Sequence, residues 1–270
     1  MRIDRATHVV TRTAAALIVL SLAGCCAGPP LATEPLTSSE LDRIASAVDA
    51  TAREFTALRG SGSGLLSTQE QRSPFAFAAV YDTPGWLRAD LRPTSPAAPS
   101  GFAAHLRVEG ACADLLFPSS LVMVTDCLDG TPFSDPALLF FGAFLGDDLR
   151  RLEDARASEN DDAISLTGRC GEQQISIALA RGTSLLTRVE VRTDDESWLT
   201  LDYEGHGWKD SIPLPRTTVI RIGRKGRTQA RLRFDFDRLR VSDPVDRSTL
   251  DLVVPPGTTV STWGDLTLWR

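Results

Sequence analysis

The sequence predicts an α+β protein in which two helices accompany a large curved antiparallel sheet. Three observations carry that expectation. Leu41, Ile44, Val48, Ala52, Phe55 and Leu58 recur every three or four positions, as one face of a helix does. From Leu65 onward, apolar runs alternate with period two, as strands do when one face is wet and the other packed. Between two blocks of such strands lies a dense apolar segment, Ala137 to Leu152, entered through Ser134-Asp135-Pro136. A proline there suits the first turn of a second helix.

Residues 1–24 read as an export signal, with Arg2, Arg5 and Arg12 ahead of an apolar run from Thr13 to Leu22. That run is too short for a bilayer core of roughly 20 residues. It ends in Leu22-Ala23-Gly24-Cys25, which resembles the bacterial lipobox. The resemblance implies cleavage before Cys25, a diacylglycerol on its thiol, and palmitate as a further acyl anchor. The next residue is Cys26 rather than an aspartate, and in Gram-negative sorting this favours the outer membrane, facing the periplasm. Residues 25–36 form the lipidated N-terminus and a tether, because the prolines of Ala27 to Leu36 suit an extended spacer. Residues 37–270 show no shift in composition and read as one domain.

The folded part opens with the helix over Leu41 to Leu58, where Thr37 and Glu40 have capping-box spacing. Gly60 reads as its C-cap and Gly60 to Gly64 (GSGSG) as a flexible turn. No Lys-Ser/Thr pair follows this run, so it is not a phosphate loop. Strands follow at Leu65–Arg72, Phe75–Tyr81, Trp86–Arg92 and Phe102–Glu109, and Ala111–Phe117 with Leu121–Cys127 reads as a hairpin. After the second helix, polar Glu153 to Asp162 reads as an exposed loop. Strands resume at Ile164–Thr167, Gln174–Ala180, Leu185–Arg192, Trp198–Glu204, Thr217–Ile222, Thr228–Leu239 and Leu250–Val254. Short turns between regular strands predict an antiparallel meander.

Composition narrows the function. Apolar residues make up 42% and charged residues 24%, which excludes a disordered or fibrous chain. The net charge of −6 argues against non-specific nucleic-acid binding, which needs basic surface. His105 and His206 sit in a strand and in a Gly-His-Gly turn, and neither has a partner pattern of a catalytic base. Asp235 and Asp237 alternate with Arg231 and Arg233 as charges do on a wet strand face. No Cys or His spacing of the folded part suits zinc, so neither a metal, a cofactor nor an enzyme activity is expected. In an oxidising compartment Cys112 and Cys127 would meet across the hairpin, with Cys127–Cys170 as the competing pairing.

The lipobox, the amphipathic helix, the stretch Phe77 to Leu91 (FAAVYDTPGWLRADL), the Phe/Leu segment Leu138 to Leu145 and the strands running to Val254-Pro255-Pro256 together resemble the LolA/LolB superfamily. That resemblance implies an unclosed antiparallel half-barrel covered by two helices. It also implies an apolar cavity that holds a lipid or lipoprotein acyl chain, in lipid or lipoprotein transport or outer-membrane biogenesis. The residues expected to line that cavity are Phe75, Phe77, Trp86, Leu139, Phe140 and Phe144, with Leu138–Leu145 as a movable lid. The alternative expectation is a non-catalytic scaffold or assembly lipoprotein that binds an envelope protein.

Overall fold

The computed structural model describes residues 34–52, 57–69, 71–82, 85–94, 103–109, 112–127, 140–142, 146–159, 162–193, 196–209 and 212–262. The expected signal peptide, Cys25, Cys26 and the expected tether as far as residue 33 lie outside these residues, as do Leu139, Phe144, Trp263 and Trp269. Among the described residues no helix is long and apolar enough to cross a membrane.

Helix α1 spans Ser38–Ala52. Its start is the expected capping box: the Thr37 amide donates to Glu40 Oε2 at 2.8 Å, and the Glu40 amide donates to Thr37 Oγ1 at 3.3 Å. The helix is shorter than the apolar period predicts, and by Ala57 the chain is already strand β2, Ala57–Thr68. The GSGSG run is therefore not a turn but the middle of a strand. Its glycines and serines alternate with period two. In the register Gly60 lies between Leu239 and Ala79, Gly62 between Phe236 and Phe77, and Gly64 between Phe234 and Phe75. The glycines leave the room that these neighbouring rings fill, which is what a strand glycine does where other groups approach closely.

The remaining strands of the first block are β3 (Arg72–Asp82), β4 (Trp86–Pro93), β5 (Ala104–Glu109), β6 (Cys112–Phe117) and β7 (Val122–Cys127). In the second block come helix α2 (Gly146–Arg150), β8 (Glu153–Glu159), β9 (Ala163–Cys170), β10 (Gln173–Ala180), β11 (Leu186–Arg192), β12 (Ser197–Glu204), β15 (Thr217–Arg224) and β16 (Arg227–Ser242). A small hairpin, β13 (Gly207–Lys209) with β14 (Ile212–Leu214), interrupts them. Two short strands, β1 (Glu34–Pro35) and β17 (Thr259–Thr262), stand at the ends.

Fifteen of these strands form one sheet in the order β1-β8-β9-β10-β11-β12-β15-β16-β2-β3-β4-β5-β6-β7-β17. Its end strands do not pair with each other, so the sheet stays unclosed. Two meanders meet at the seam between β16 and β2. Three expectations are corrected here. Glu153 to Glu159 is a strand, not a loop: one place from the sheet end, it keeps only Ala155 and Ala157 against the core and carries charge elsewhere. Leu250–Val254 is not a strand. Asp246 caps a 3-10 turn at Arg247–Leu250, accepting from the Ser248 amide at 3.0 Å, and Pro255 and Pro256 follow with no amide to donate. The pairing is also not wholly antiparallel, because β17 runs parallel to β7.

Cys112 lies opposite Cys127 in the β6–β7 register, and the two sulfurs are bonded. Cys170 lies on β9 in the other meander as a half-buried free thiol, and burial pushes its pKa up. The bridge closes a loop with a sequence separation of 15. Replacing both Cys112 and Cys127 by Ser is expected to lower stability by about 3 kcal/mol, read from urea unfolding under non-reducing conditions.

Candidate functional site

The register places one apolar face along the whole sheet. Leu199, Leu201 and Tyr203 of β12 face Ile222, Ile220 and Thr218 of β15, and these face Ala230, Leu232 and Phe234 of β16. Across the glycines of β2 the face continues through Phe75, Phe77, Ala79 and Tyr81 of β3 to Leu87 and Ala89 of β4. All of these side chains are buried. Leu41, Ala45 and Val48 of α1 and Leu149 of α2 pack in the same core, so both helices lie on this face.

The path of the chain explains what else lies there. β7 and β8 stand next to opposite ends of the sheet, and the described part of the connection between them is residues 140–142 and 146–152. Its described residues Phe140, Phe141, Leu149 and Leu152 are all buried in the core. Phe140 and Phe141 sit in helical conformation, and Gly142 then takes a φ of +66°, which ends the turn. A Cβ at Gly142 would stand 3.0 Å from the Tyr203 ring, so glycine meets both a backbone need and a close approach.

Six phenylalanines and Tyr81 form the centre of the site. Phe77 stacks edge-on against Phe234 and Phe236, each 5.2 Å away, and Phe75 meets Phe234 at 5.6 Å. From above, Phe140 meets Phe234 at 5.2 Å, while Phe141 meets Phe236 at 5.8 Å and Tyr81 at 6.3 Å. Such pairs add about 0.5–1.5 kcal/mol each beyond area burial. One polar contact ties the cover to the floor: the fully buried Thr218 hydroxyl donates to the Phe140 carbonyl at 3.0 Å. Burial, reinforced by the Asp202 carboxylate, pushes the Tyr203 phenol well above its ordinary range, so this surface carries no charge at ordinary pH.

The far side of the cover is clasped to α1. The Gly146 amide donates to Asp49 Oδ1 at 2.8 Å, and the Arg150 guanidinium reaches Asp49 at 3.0 Å and Asp147 at 2.8 Å. A Cβ at Gly146 would stand 2.3 Å from the Ala45 carbonyl, so only glycine lets the two helices come this close. Asp49→Ala leaves the Gly146 amide unpaired. It is expected to destabilise the protein by about 1–3 kcal/mol in urea unfolding, whereas Asp42→Ala, which removes only an exposed ion pair to the same Arg150, is expected to cost no more than about 1 kcal/mol.

The structure brings Phe75, Phe77 and Phe140 together, with exposures of 0, 4 and 4%. It places Trp86 elsewhere. Leu87 and Ala89 take the inward positions of β4, so Trp86 points to the outer face, with the Arg247 guanidinium 5.0 Å above its ring. There it belongs to a strap: Arg88 donates to the Asp251 carbonyl at 2.6 Å and Arg107 to its carboxylate at 3.1 Å, holding the segment that leads to β17 across β4 and β5. His105 is also on this outer face, with Nδ1 2.6 Å from Asp90 Oδ1. Asp235 accepts from Arg233 and Thr217, and the guanidinium holds its carboxyl below the usual carboxylate range. Among the described residues no three His, Cys, Asp or Glu side chains are grouped to hold a metal ion. A recess of about 320 Å³ opens at the start of α1 between Leu36, Ser38, Leu41, Leu152 and Arg156, away from the aromatic cluster.

Sequence reasoning missed Phe141, Phe234, Phe236 and Thr218. The alternation Ala230/Leu232/Phe234/Phe236 and the adjacency of Phe141 to Phe140 were the available signals. No pattern marks Thr218, because its role depends on where a distant carbonyl lands.

The class these features define is an unclosed, largely antiparallel half-barrel whose apolar concave face is covered by two helices and a phenylalanine segment. This is the fold of LolA superfamily proteins. An outer-membrane lipoprotein-sorting protein domain from Vibrio parahaemolyticus superposes with a TM-score of 0.57 at 11% identity, over 80% of this chain and 97% of that one. A DUF1329 family protein from Desulfovibrio piger gives 0.54 at 12% identity, over 81% and 98%. A LolA superfamily protein from Nitrosomonas europaea gives 0.50 at 13% identity, over 78% and 97%. No protein-family profile and no curated protein sequence matches the chain.

Proposed function

We propose that this protein is a non-catalytic bacterial envelope lipoprotein, anchored through Cys25, whose folded part holds a lipid or lipoprotein acyl chain on the concave face. The observation that carries this reading is the aromatic floor covered by Phe140 and Phe141. Burying two phenylalanines is worth about 3–6 kcal/mol. A long acyl chain buried in their place gains about 0.8 kcal/mol per methylene, so some ten methylenes outweigh the rings they displace. The ligand's ester or carboxylic oxygen takes over the Thr218 hydrogen that the Phe140 carbonyl now accepts. The LolA-type fold supports the reading, since one superposed structure is assigned to outer-membrane lipoprotein sorting. In this reading the protein sits at the outer membrane and residues 37–270 act as one domain.

The filled face also suits a second reading, a scaffold or assembly lipoprotein that binds a protein partner and no lipid. Native mass measurement of the exported protein, followed by lipid extraction, separates the two. Co-purified phospholipid or fatty acid at up to one per chain is the expected result. A protein that carries no lipid, and that takes up neither a fluorescent long-chain fatty acid nor an apolar dye, supports the scaffold and contradicts acyl binding.

A further inference from the structure

The outer face of the seam is basic. Strands β16, β2, β3 and β4 together carry nine arginines and four aspartates, with no lysine or glutamate, in a chain whose net charge is −6. Some of these charges are matched where they stand: Arg233 is held by Asp235 and Arg88 by Asp90. Arg59, Arg72, Arg92, Arg231, Arg238 and Arg240 differ from these. All six are exposed, and none makes an ion pair with a described residue. On β16 the inward positions belong to Leu232, Phe234 and Leu239, and the arginines alternate with them. At one end of the patch Arg231 lies in a row with Ser67 and Arg72, and at the other Arg240 lies directly opposite Arg59. The patch therefore runs about 30 Å along the strands and about 14 Å across them. Like charges directly opposite one another weaken a strand pair. Arg59 and Arg240 stand so at the seam that joins the two meanders, with no described carboxylate between them. A local rule broken without compensation inside the chain is the mark of a functional surface.

We infer that this face rests on an anionic membrane surface, where the six guanidinium groups meet the phosphates of lipid headgroups. Arginine suits that partner, because its planar fork gives two parallel hydrogen bonds to a phosphate. Ser61, Ser63, Ala76 and Ala78 keep the floor between the arginines low. No aromatic side chain stands outward on β16, β2 or β3. A protein interface takes most of its binding energy from buried aromatic and apolar anchors, and this face offers none. An anionic bilayer asks only for clustered positive charge within a Debye length of its surface. Contact of this kind rests on the anchored reading, which brings a bilayer within reach, and it decides which side of the domain faces that bilayer. The Phe140 cover on the concave face is then turned away from the membrane.

The test places the intact protein on vesicles of phosphatidylcholine alone and on vesicles of phosphatidylcholine with phosphatidylglycerol. Arginines that react with phenylglyoxal are then mapped by mass spectrometry. The reactivity of the six arginines is expected to fall about threefold or more on the anionic vesicles and to recover when salt screens the surface. Arg43, exposed on α1, is expected to react equally on both. The double variant Arg238→Glu with Arg240→Glu is expected to remove the protection of the other four, with unchanged melting as the check on its fold. Flotation separates failure of this contact from failure of the anchor. A protein that floats with both vesicle types yet keeps all six arginines reactive is anchored but turns another face to the bilayer. That result overturns the proposal and points the patch toward an acidic protein segment. A protein that floats only with the anionic vesicles, with the six protected, lacks the anchor and still supports the contact. Equal protection on both vesicle types overturns it, because charge is then not the cause, and so does a protein that floats with neither.

Discussion

Gly62→Val is expected to remove more than about 4 kcal/mol of stability, enough to abolish recovery of folded protein from the envelope. The glycine sits in mid-strand at the seam between the two meanders, beside the bulge where the register of β16 shifts between Phe236 and Arg238. A Cβ built there stands 1.9 Å from the Asp235 carbonyl oxygen, a backbone atom that cannot rotate away. The only relief is to part β2 from β16, and that breaks the pairing which joins the two halves. Gly64→Val follows for a related reason, since its Cβ would stand 2.3 Å from the Phe75 ring and 2.7 Å from the Arg233 carbonyl. Ser63→Ala, between them on the exposed side, is expected to change stability by less than about 0.5 kcal/mol. Urea unfolding of the three variants gives the comparison. A Gly62→Val protein within about 1 kcal/mol of the parent would show that β2 is not held between β16 and β3 in this register.

Phe140→Ala is expected to move stability and ligand affinity in opposite directions. Truncating a ring that is 4% exposed and packed on Phe234 lowers stability by about 3–5 kcal/mol. The same ring is what an acyl chain displaces, so its removal spares the ligand that work. Burial of one phenylalanine is worth about 1.5–3 kcal/mol, which converts to a gain in affinity of about ten- to a hundredfold. Fluorescence titration with a long-chain fatty acid, beside chemical unfolding, reads both quantities on one preparation. A ring that merely completes a core predicts the stability loss with no gain in affinity, and that outcome would separate core from cover.

Where sequence and structure agree, the agreement has a physical source. Alternation exposes strands such as β10 and β12 because water lies on one side of them and the core on the other. The capping box at Thr37 is local chemistry and is equally plain. The errors arise where a residue acts through a neighbour distant in sequence. The glycines of β2 read as a turn until Phe75, Phe77, Phe234 and Phe236 are set on the flanking strands. Glu153–Glu159 reads as a loop because its partner strand covers its backbone while its side chains stay wet. Trp86 was one position out of phase with Leu87 and Ala89, and a one-residue offset in a strand reverses the face. Phe75, Phe77 and Phe140 were legible as apolar aromatics, whereas their meeting with Phe234 and Phe236 depends on the seam between β16 and β2.

The central claim is that the concave face holds an acyl chain beneath Phe140 and Phe141. Photolabelling the intact protein with a fatty acid that carries a diazirine near its methyl end, then mapping the labelled peptides, tests it most directly. Labels are expected on the inward strands around Phe77, Tyr203 and Phe234 and on the segment holding Phe140, with Thr218→Val reducing the yield. Labels confined to the outer face around Trp86 and Arg88, or to the β17 edge, would contradict the account.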